Sequence, residues 1–306
     1  MTGRHRPRPT WRELPATLRQ GVERVLGSPV VASDSRPGGW SPGSADLVTT
    51  ADGARAFVKT ADTEVNGRTV AMHRREAELL RLLDGDPAPR LLGVVDDPPW
   101  FGLVVEAIEG RHPDPASERD TDSMLDAVTA LPAAPAGSHL NRIEEELAPD
   151  ALGWRRLRED GAVLPEEIGD RLPLLESLAA RLPEAVHGDS IVHLDLRLDN
   201  ALLDADGRGR LVDWPSAVVG ARWVDAVTYL LDVRHLGGPI DAGLRHPVLR
   251  DVPAESVDVL LAVLGAYFLD SARRPEAPEL AGLRAYQEAQ GRTVTGWLLE
   301  RRPDLR

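Results

Sequence analysis

The spacing of apolar and polar positions changes several times along this 306-residue chain, and each change marks an element. LPATLRQGVERVL, residues 14–26, reads as a short amphipathic helix. A Gly/Pro/Ser-rich stretch, RPGGWSPGSA, then gives way to the alternation ADLVTT. The turn ADG follows, and ARAFVKTA is the return strand of a hairpin. NGRTVAMHRREAELLRLL, residues 66–83, returns to helical period with Glu76, Leu79, Leu80 and Leu83 on one face, and Asp84 to Pro89 break it. RLLGVV and WFGLVVEAI are two further strands about the turn DDPP. The first hundred or so residues thus read β-β-α-β-β, with one more candidate strand at Pro29 to Ser33.

After Gly110 the pattern becomes helical and punctuated by Pro as far as Leu182. Strands and loops occupy Val186 to Val212, more helix runs to the C-terminus, and no internal repeat is present. The expectation is an α+β chain of two lobes joined near residue 107. Residues 1–28 form a tail and short helix, with MTGRHRPRPTWRE frayed. Residues 29–106 form a small antiparallel sheet with one helix, and residues 107–306 a larger, mainly helical lobe.

Composition narrows the function classes. The formal net charge of −13 argues against general binding to nucleic acid or to anionic membranes, and it suits a cationic ligand. The chain has no Cys, which removes disulfides, thiolate catalysis and Cys-based metal sites. The basic N-terminus lacks the apolar core of a secretory signal. The longest apolar run, VLLAVLGAYFL from Val259 to Leu269, is about half the roughly 20 residues of a membrane span and reads as a buried helix. A cytoplasmic location is the expectation.

Chemistry concentrates in VHLDLRLDNALLDADGRGRLVDWPSA, Val192 to Ala217. It contains His193-x-Asp195-x4-Asn200, then a hairpin pattern that ends in Asp213. A carboxylate, an amide oxygen and a second carboxylate brought together this way are ligands for a hard cation. With two protein ligands and the rest from water and phosphate, Mg²⁺ is the natural guest. HGD at His187 to Asp189 imitates the start of the motif, but five residues on stands Leu194, which cannot bind metal, so His187 and Asp189 read as helix-end or loop residues. Ser190 lacks a nucleophile-elbow context, and the two neighbouring histidines lack a third zinc ligand.

Lys59 is the only lysine beside 35 arginines (36 Lys plus Arg, less one) and sits inside an apolar strand pattern. Codon bias explains the arginines as well as selection does. The functional reading is a site that needs a compact ammonium instead of a planar guanidinium.

The combined pattern resembles the aminoglycoside phosphotransferase and choline kinase-like family of the protein-kinase-like fold, from about Gly38 to Leu231. The resemblance implies a small-molecule kinase that moves the γ-phosphoryl group of ATP or GTP to a hydroxyl. Asp195 would orient that hydroxyl and take its proton, and Asn200 and Asp213 would hold Mg²⁺. Lys59, positioned by Glu76, would reach the α- and β-phosphates, while Glu78 points away from the leucine stripe. Arg197 either neutralises charge on the moving phosphoryl group or faces solvent. His193 would shape the loop, and Asp225 would brace it from the next helix or serve as an ordinary helix N-terminal acid.

Gly43 and Ser44, in GGWSPGSA (Gly38 to Ala45), would belong to a phosphate-covering loop, although the stretch is not G-x-G-x-x-G. Glu106 C=O and Ile108 N–H would read the adenine edge. Asp258, Asp270, Glu276 and Glu279 are acids that could meet an amine, although charges on amphipathic helices usually form the solvated face. Three functions compete: an antibiotic or natural-product kinase, a metabolic kinase for a sugar or amino alcohol, and a nucleotide-binding regulator without transfer activity. The sequence leaves the oligomeric state open.

Overall fold

The computed structural model of the protein describes residues 9–36, 43–83, 85–164, 166–276, 280 and 282–305. The chain divides into two compact units. The first comprises Met1–Arg111, Asp204–Asp206 and Arg210–Ser216, and the second His112–Leu203, Gly207–Gly209 and Ala217–Arg306.

The first unit is built on helix α1 (Ala16–Leu26), strands β1 (Val30–Ser35), β2 (Ser44–Thr50) and β3 (Arg55–Asp62), helix α2 (Thr63–Leu83), and strands β4 (Leu91–Asp97) and β5 (Trp100–Glu106). The five strands form one sheet in the order β1-β2-β3-β5-β4, antiparallel throughout. Alternation of side chains along a strand decides what each face meets. Val48, Ala56, Val58 and Val104 point to one face, where they share a core with Leu14, Leu18 and Val22 at α1. Lys59, one position on from Val58 and paired with Leu103, therefore points to the opposite face, the side on which α2 packs. That parity carries the lysine away from the apolar core and toward the helix.

Two features differ from the sequence expectation. Trp11 is buried, 5% exposed, and joins the α1 core, because the Asp46 carboxylate accepts its backbone N–H at 3.2 Å. The segment read as frayed is therefore anchored from Trp11 onward. In α2 the backbone at Asn66 is non-helical (φ −156°, ψ 90°), and its side chain accepts from Thr69 N at 3.0 Å. Asn66 acts as an N-cap where one helical run hands over to the next.

The second unit is mostly helical. It contains α3 (Glu118–Thr129), then short helices α4 (Ile143–Glu146), α5 (Ala148–Ala151), α6 (Gly153–Glu159), α7 (Glu166–Gly169), α8 (Leu172–Ala179) and α9 (Leu182–Val186). Longer helices follow at α10 (Trp223–His235), α12 (Ala254–Ala272) and α13 (Leu283–Arg301), with the single turn α11 (Pro247–Arg250) between the first two. The run Val259 to Leu269 lies inside α12 and is largely buried, with Trp154 Nε1 donating to Ala262 O at 2.8 Å. Among the described residues no helix is long and apolar enough to cross a membrane. The remaining strands are short: β6 (Gly110–Arg111) belongs to the first unit, β7 (Ser190–Val192) and β10 (Val218–Gly220) to the second, and β8 (Ala201–Asp204) and β9 (Gly209–Leu211) span the divisions between the two. β7 and β10 pair antiparallel, Val192 opposite Val218, and set the start of the loop that follows Val192.

If α1 belongs to the first unit's core, Leu18→Ala should cost about 2–5 kcal/mol, read as a lower urea midpoint. Leu82→Ala, at a site 43% exposed, should stay within about 0.5 kcal/mol. Equal losses would contradict this packing.

Candidate active site

In the first unit, Lys59 Nζ lies 2.8 Å from both Glu76 oxygens and 2.7 Å from Asp213 Oδ1. Glu76 is 1% exposed and also accepts from Trp214 N at 3.2 Å. A buried carboxylate needs such partners, since desolvation would otherwise neutralise it. Burial alone would push the Lys59 ammonium down, but Glu76 and Asp213 outweigh it and hold the group above the ordinary lysine range. Burial pushes the Glu76 carboxyl up; Lys59 opposes this, and the nearby Asp213 charge adds to it. Asp213 has φ 69°, left-handed for a residue with a Cβ, and its carboxylate is 48% exposed. Glu78 is exposed.

In the second unit, the loop after β7 carries His193, Asp195, Arg197 and Asn200 together. Leu194 has φ 65°, a conformation costing a β- or γ-branched residue on the order of 1–3 kcal/mol. Asp225, wholly buried in the first turn of α10, holds it there by accepting from His193 N at 2.7 Å and Leu194 N at 2.9 Å. Burial pushes the Asp225 carboxyl up to about 7, against the pull of those two N–H groups and with help from the Asp195 charge. His193 Nδ1 accepts from Asp195 N at 3.3 Å. Asn200 Nδ2 donates to Asp195 O at 2.9 Å and Oδ2 at 3.3 Å, which fixes the amide.

Arg197 is 24% exposed. Its Nε and Nη2 bond Asp199 at 3.1 and 3.0 Å, and its Nε stands 3.7 Å from Asp195 Oδ1. Burial would lower its pKa, but Asp195 and Asp199 outweigh that and raise it. The guanidinium is held among partners and does not wave in solvent.

Several groups went unread in the sequence. Asp232 accepts from Leu198 N at 2.9 Å, one position past Arg197. His112 Nδ1 lies 3.1 Å from Leu198 O and 2.9 Å from Ala201 O, and facing two acceptors it must carry the proton. Asp225 and Asp232 are seven residues apart, two turns on one helix face, a spacing that was visible in the sequence.

The remaining candidates are placed as follows. Gly38 to Pro42 lie outside the described residues. Gly43 has φ 144°, and a Cβ there would stand 2.2 Å from Thr60 O, so only glycine fits. The Ser44 hydroxyl is buried and bonded to Thr60 Oγ1 at 2.8 Å, so its side chain is committed within the sheet. Glu106 ends β5; its carboxylate accepts from Arg90 N at 3.1 Å and lies 3.6 Å from Arg210 Nη2. Ile108 follows half-buried in a stretch without regular structure. Asp258 and Asp270 are buried acids paired with arginines, Arg301 for the first and Arg156, Arg273 and Arg274 for the second. Glu276 accepts from Gly282 N and Arg284 N, while Glu279 lies outside the described residues. His187 caps the end of α9.

Residues 36–255 match the model of a phosphotransferase enzyme family. Choline kinase LicA from Streptococcus pneumoniae is similar in structure over 91% of this chain and 97% of that one, with 14% identity and a TM-score of 0.58. An aminoglycoside phosphotransferase from Alicyclobacillus acidocaldarius matches over 92% and 96%, at 14% identity and a TM-score of 0.56. A thermostable mutant of aminoglycoside phosphotransferase APH(4)-Ia, in ternary complex with AMP-PNP and hygromycin B, matches over 91% and 99%, at 14% identity and a TM-score of 0.57. Likeness at this identity is likeness of fold, and the fold is protein-kinase-like: an antiparallel N-terminal sheet unit and a mostly helical C-terminal part. A search of the curated proteins finds no match.

The Asp225 carboxyl has an ordinary value of 3.8 and rises to about 7 on folding, so the folded chain holds a proton that the unfolded chain has lost between those values. Its contribution to stability is present below about pH 4 and is lost as pH rises to about 7. The stability difference between wild type and Asp225→Asn, from urea unfolding, should therefore change by on the order of 4 kcal/mol across that window. A pH-independent difference would contradict the raised value.

Proposed function

The chain belongs to the phosphotransferase enzyme family, and from that premise we propose that it moves the γ-phosphoryl group of ATP or GTP to a hydroxyl of an antibiotic-like or natural-product small molecule. The observation that carries this reading is the Lys59 ammonium bonded to Glu76 and Asp213, a partly buried cation anchored on one side and facing a half-exposed carboxylate on the other. All three of its donors are engaged without a ligand. Arriving α- and β-phosphate oxygens would take the place of Asp213, while Glu76 keeps the ammonium aimed. Gly43 backbone, close against β3, and the Glu106 and Ile108 backbone would contact phosphate and base.

On the acceptor side, Asp195 takes the proton of the substrate hydroxyl as its oxygen bonds to the γ-phosphorus and the bond to the β–γ bridging oxygen breaks. The products are the phosphate ester, the nucleoside diphosphate and a proton on Asp195. Asp225 keeps the loop in its left-handed turn, and Arg197 sets a fixed positive charge beside Asp195.

Asn200 and Asp213 are each assigned to Mg²⁺ on donor chemistry alone. The nitrogen of Asn200 is occupied by Asp195, which leaves the amide oxygen as a hard ligand, and the Asp213 carboxylate is half open. Among the described residues no group of three or more His, Cys, Asp or Glu could hold a metal ion by itself. When bound there, Mg²⁺ would neutralise charge on the phosphate oxygens. With Asp258 and Asp270 committed to arginines, recognition of a cationic acceptor falls to other groups.

The test is incubation with Mg·ATP, and separately Mg·GTP, against pooled aminoglycosides, macrolides, nucleoside antibiotics and hydroxylated metabolites. Mass spectrometry then looks for one added phosphoryl group. The reading predicts a product whose rate falls about 10²–10⁴-fold in Asp195→Ala. A product formed equally fast by that variant would reject the assigned chemistry.

A further inference from the structure

The loop that carries Asp195 is tied to the C-terminal helix by a polar chain buried inside the second unit. Asp232 Oδ2 accepts from Leu198 N at 2.9 Å, and its Oδ1 accepts from Gln290 Nε2 at 3.0 Å. Gln290, 2% exposed, also donates to the Tyr286 hydroxyl at 3.0 Å. The Tyr286 ring lies under the Arg197 guanidinium, with Cζ 5.9 Å from the ring centroid, and His235 packs edge-on against that ring at 6.2 Å. Tyr286 and Gln290 stand four apart on α13, one turn, so a single helix face presents both.

Arg197 is thus restrained by the ring on its face and by Asp199 along its edge, and its Nε is directed to within 3.7 Å of Asp195. What the polar chain adds is one frame shared by the loop backbone at Leu198 and the cation at Arg197.

We propose that Tyr286, held by Gln290 and Asp232, is a positioning residue that sets Arg197 against Asp195 during phosphoryl transfer. The inference rests on the function proposed above. It makes α13 part of the apparatus that orients the reacting groups. Tyr286 acts through Arg197, so removing Tyr286 matters only while Arg197 is present. The chain also damps the loop, so breaking it at Gln290 loosens the amides near Leu198.

A double-mutant cycle tests this in the full-length enzyme, with turnover measured at saturating nucleotide and acceptor. Tyr286→Leu should lower kcat about tenfold with the nucleotide KM within about twofold, and Tyr286→Phe, which keeps the ring against Arg197 but loses the bond from Gln290, should recover only part of the loss. In an Arg197→Ala background, Tyr286→Leu should cost less than about twofold. Hydrogen exchange read by mass spectrometry provides an arm free of activity: Gln290→Leu should speed exchange in the peptide containing Leu198, and it also serves if Tyr286→Leu fails to fold. Equal losses from Tyr286→Leu in both backgrounds, or unchanged exchange in Gln290→Leu, would overturn the proposal. Wild type and Asp195→Ala run alongside. If those two turn over alike, the proposed function fails and this inference with it, whereas a silent Asp195→Ala with additive losses rejects the positioning role alone.

Discussion

A single ammonium held between two carboxylates organises the first unit. Lys59 could not sit on a strand beside a buried Glu76 unless each neutralised the other, because either charge alone would carry a desolvation cost of several kcal/mol. The sheet satisfies that demand by parity, since the apolar face of β3 meets α1 and the opposite face delivers Lys59 to α2. Trp214 N–H completes Glu76, and Asp213 in its left-handed turn supplies the third corner. The result is a positive charge fixed in direction by its own neighbours.

The second unit solves a different problem by similar means. The loop after β7 turns through a left-handed Leu194, and two carboxylates on one face of α10 accept the loop's N–H groups on either side of Asp195 and Arg197. A single helix thus serves as a template for the loop. Two hydrogen bonds from the loop backbone to Asp225 can offset the strain at Leu194, and Asp232 fixes the far side of the loop at Leu198. His112 gathers the far end of the same loop by donating to two carbonyls.

Much of this was legible in the sequence where the signal was local. Period-two alternation announced β2 and β3, the leucine stripe put Glu76 on the inward face of α2, and the run from His193 to Asn200 marked the loop. Signals that depend on distant partners were not legible. Trp11 is buried because of Asp46, and Asp270 is ion-paired because Arg156 approaches from a helix far away in sequence. Ser44 reads as a free hydroxyl until strand register sets it opposite Thr60. The link from Asp232 to Gln290 joins two helices with neither residue type distinctive by itself. The seven-residue spacing of Asp225 and Asp232 was available, but it carries meaning only once the loop is known to lie against that face.

The central claim is that Lys59 binds nucleotide phosphate as a compact ammonium aimed by Glu76. Isothermal titration of Mg²⁺ with a non-hydrolysable ATP analogue against wild type and Lys59→Arg tests it directly, because charge is kept and only geometry changes. The account predicts measurable binding by wild type and at least about a tenfold weaker affinity for the arginine variant. Equal affinities, or no nucleotide binding by the wild-type protein, would contradict it.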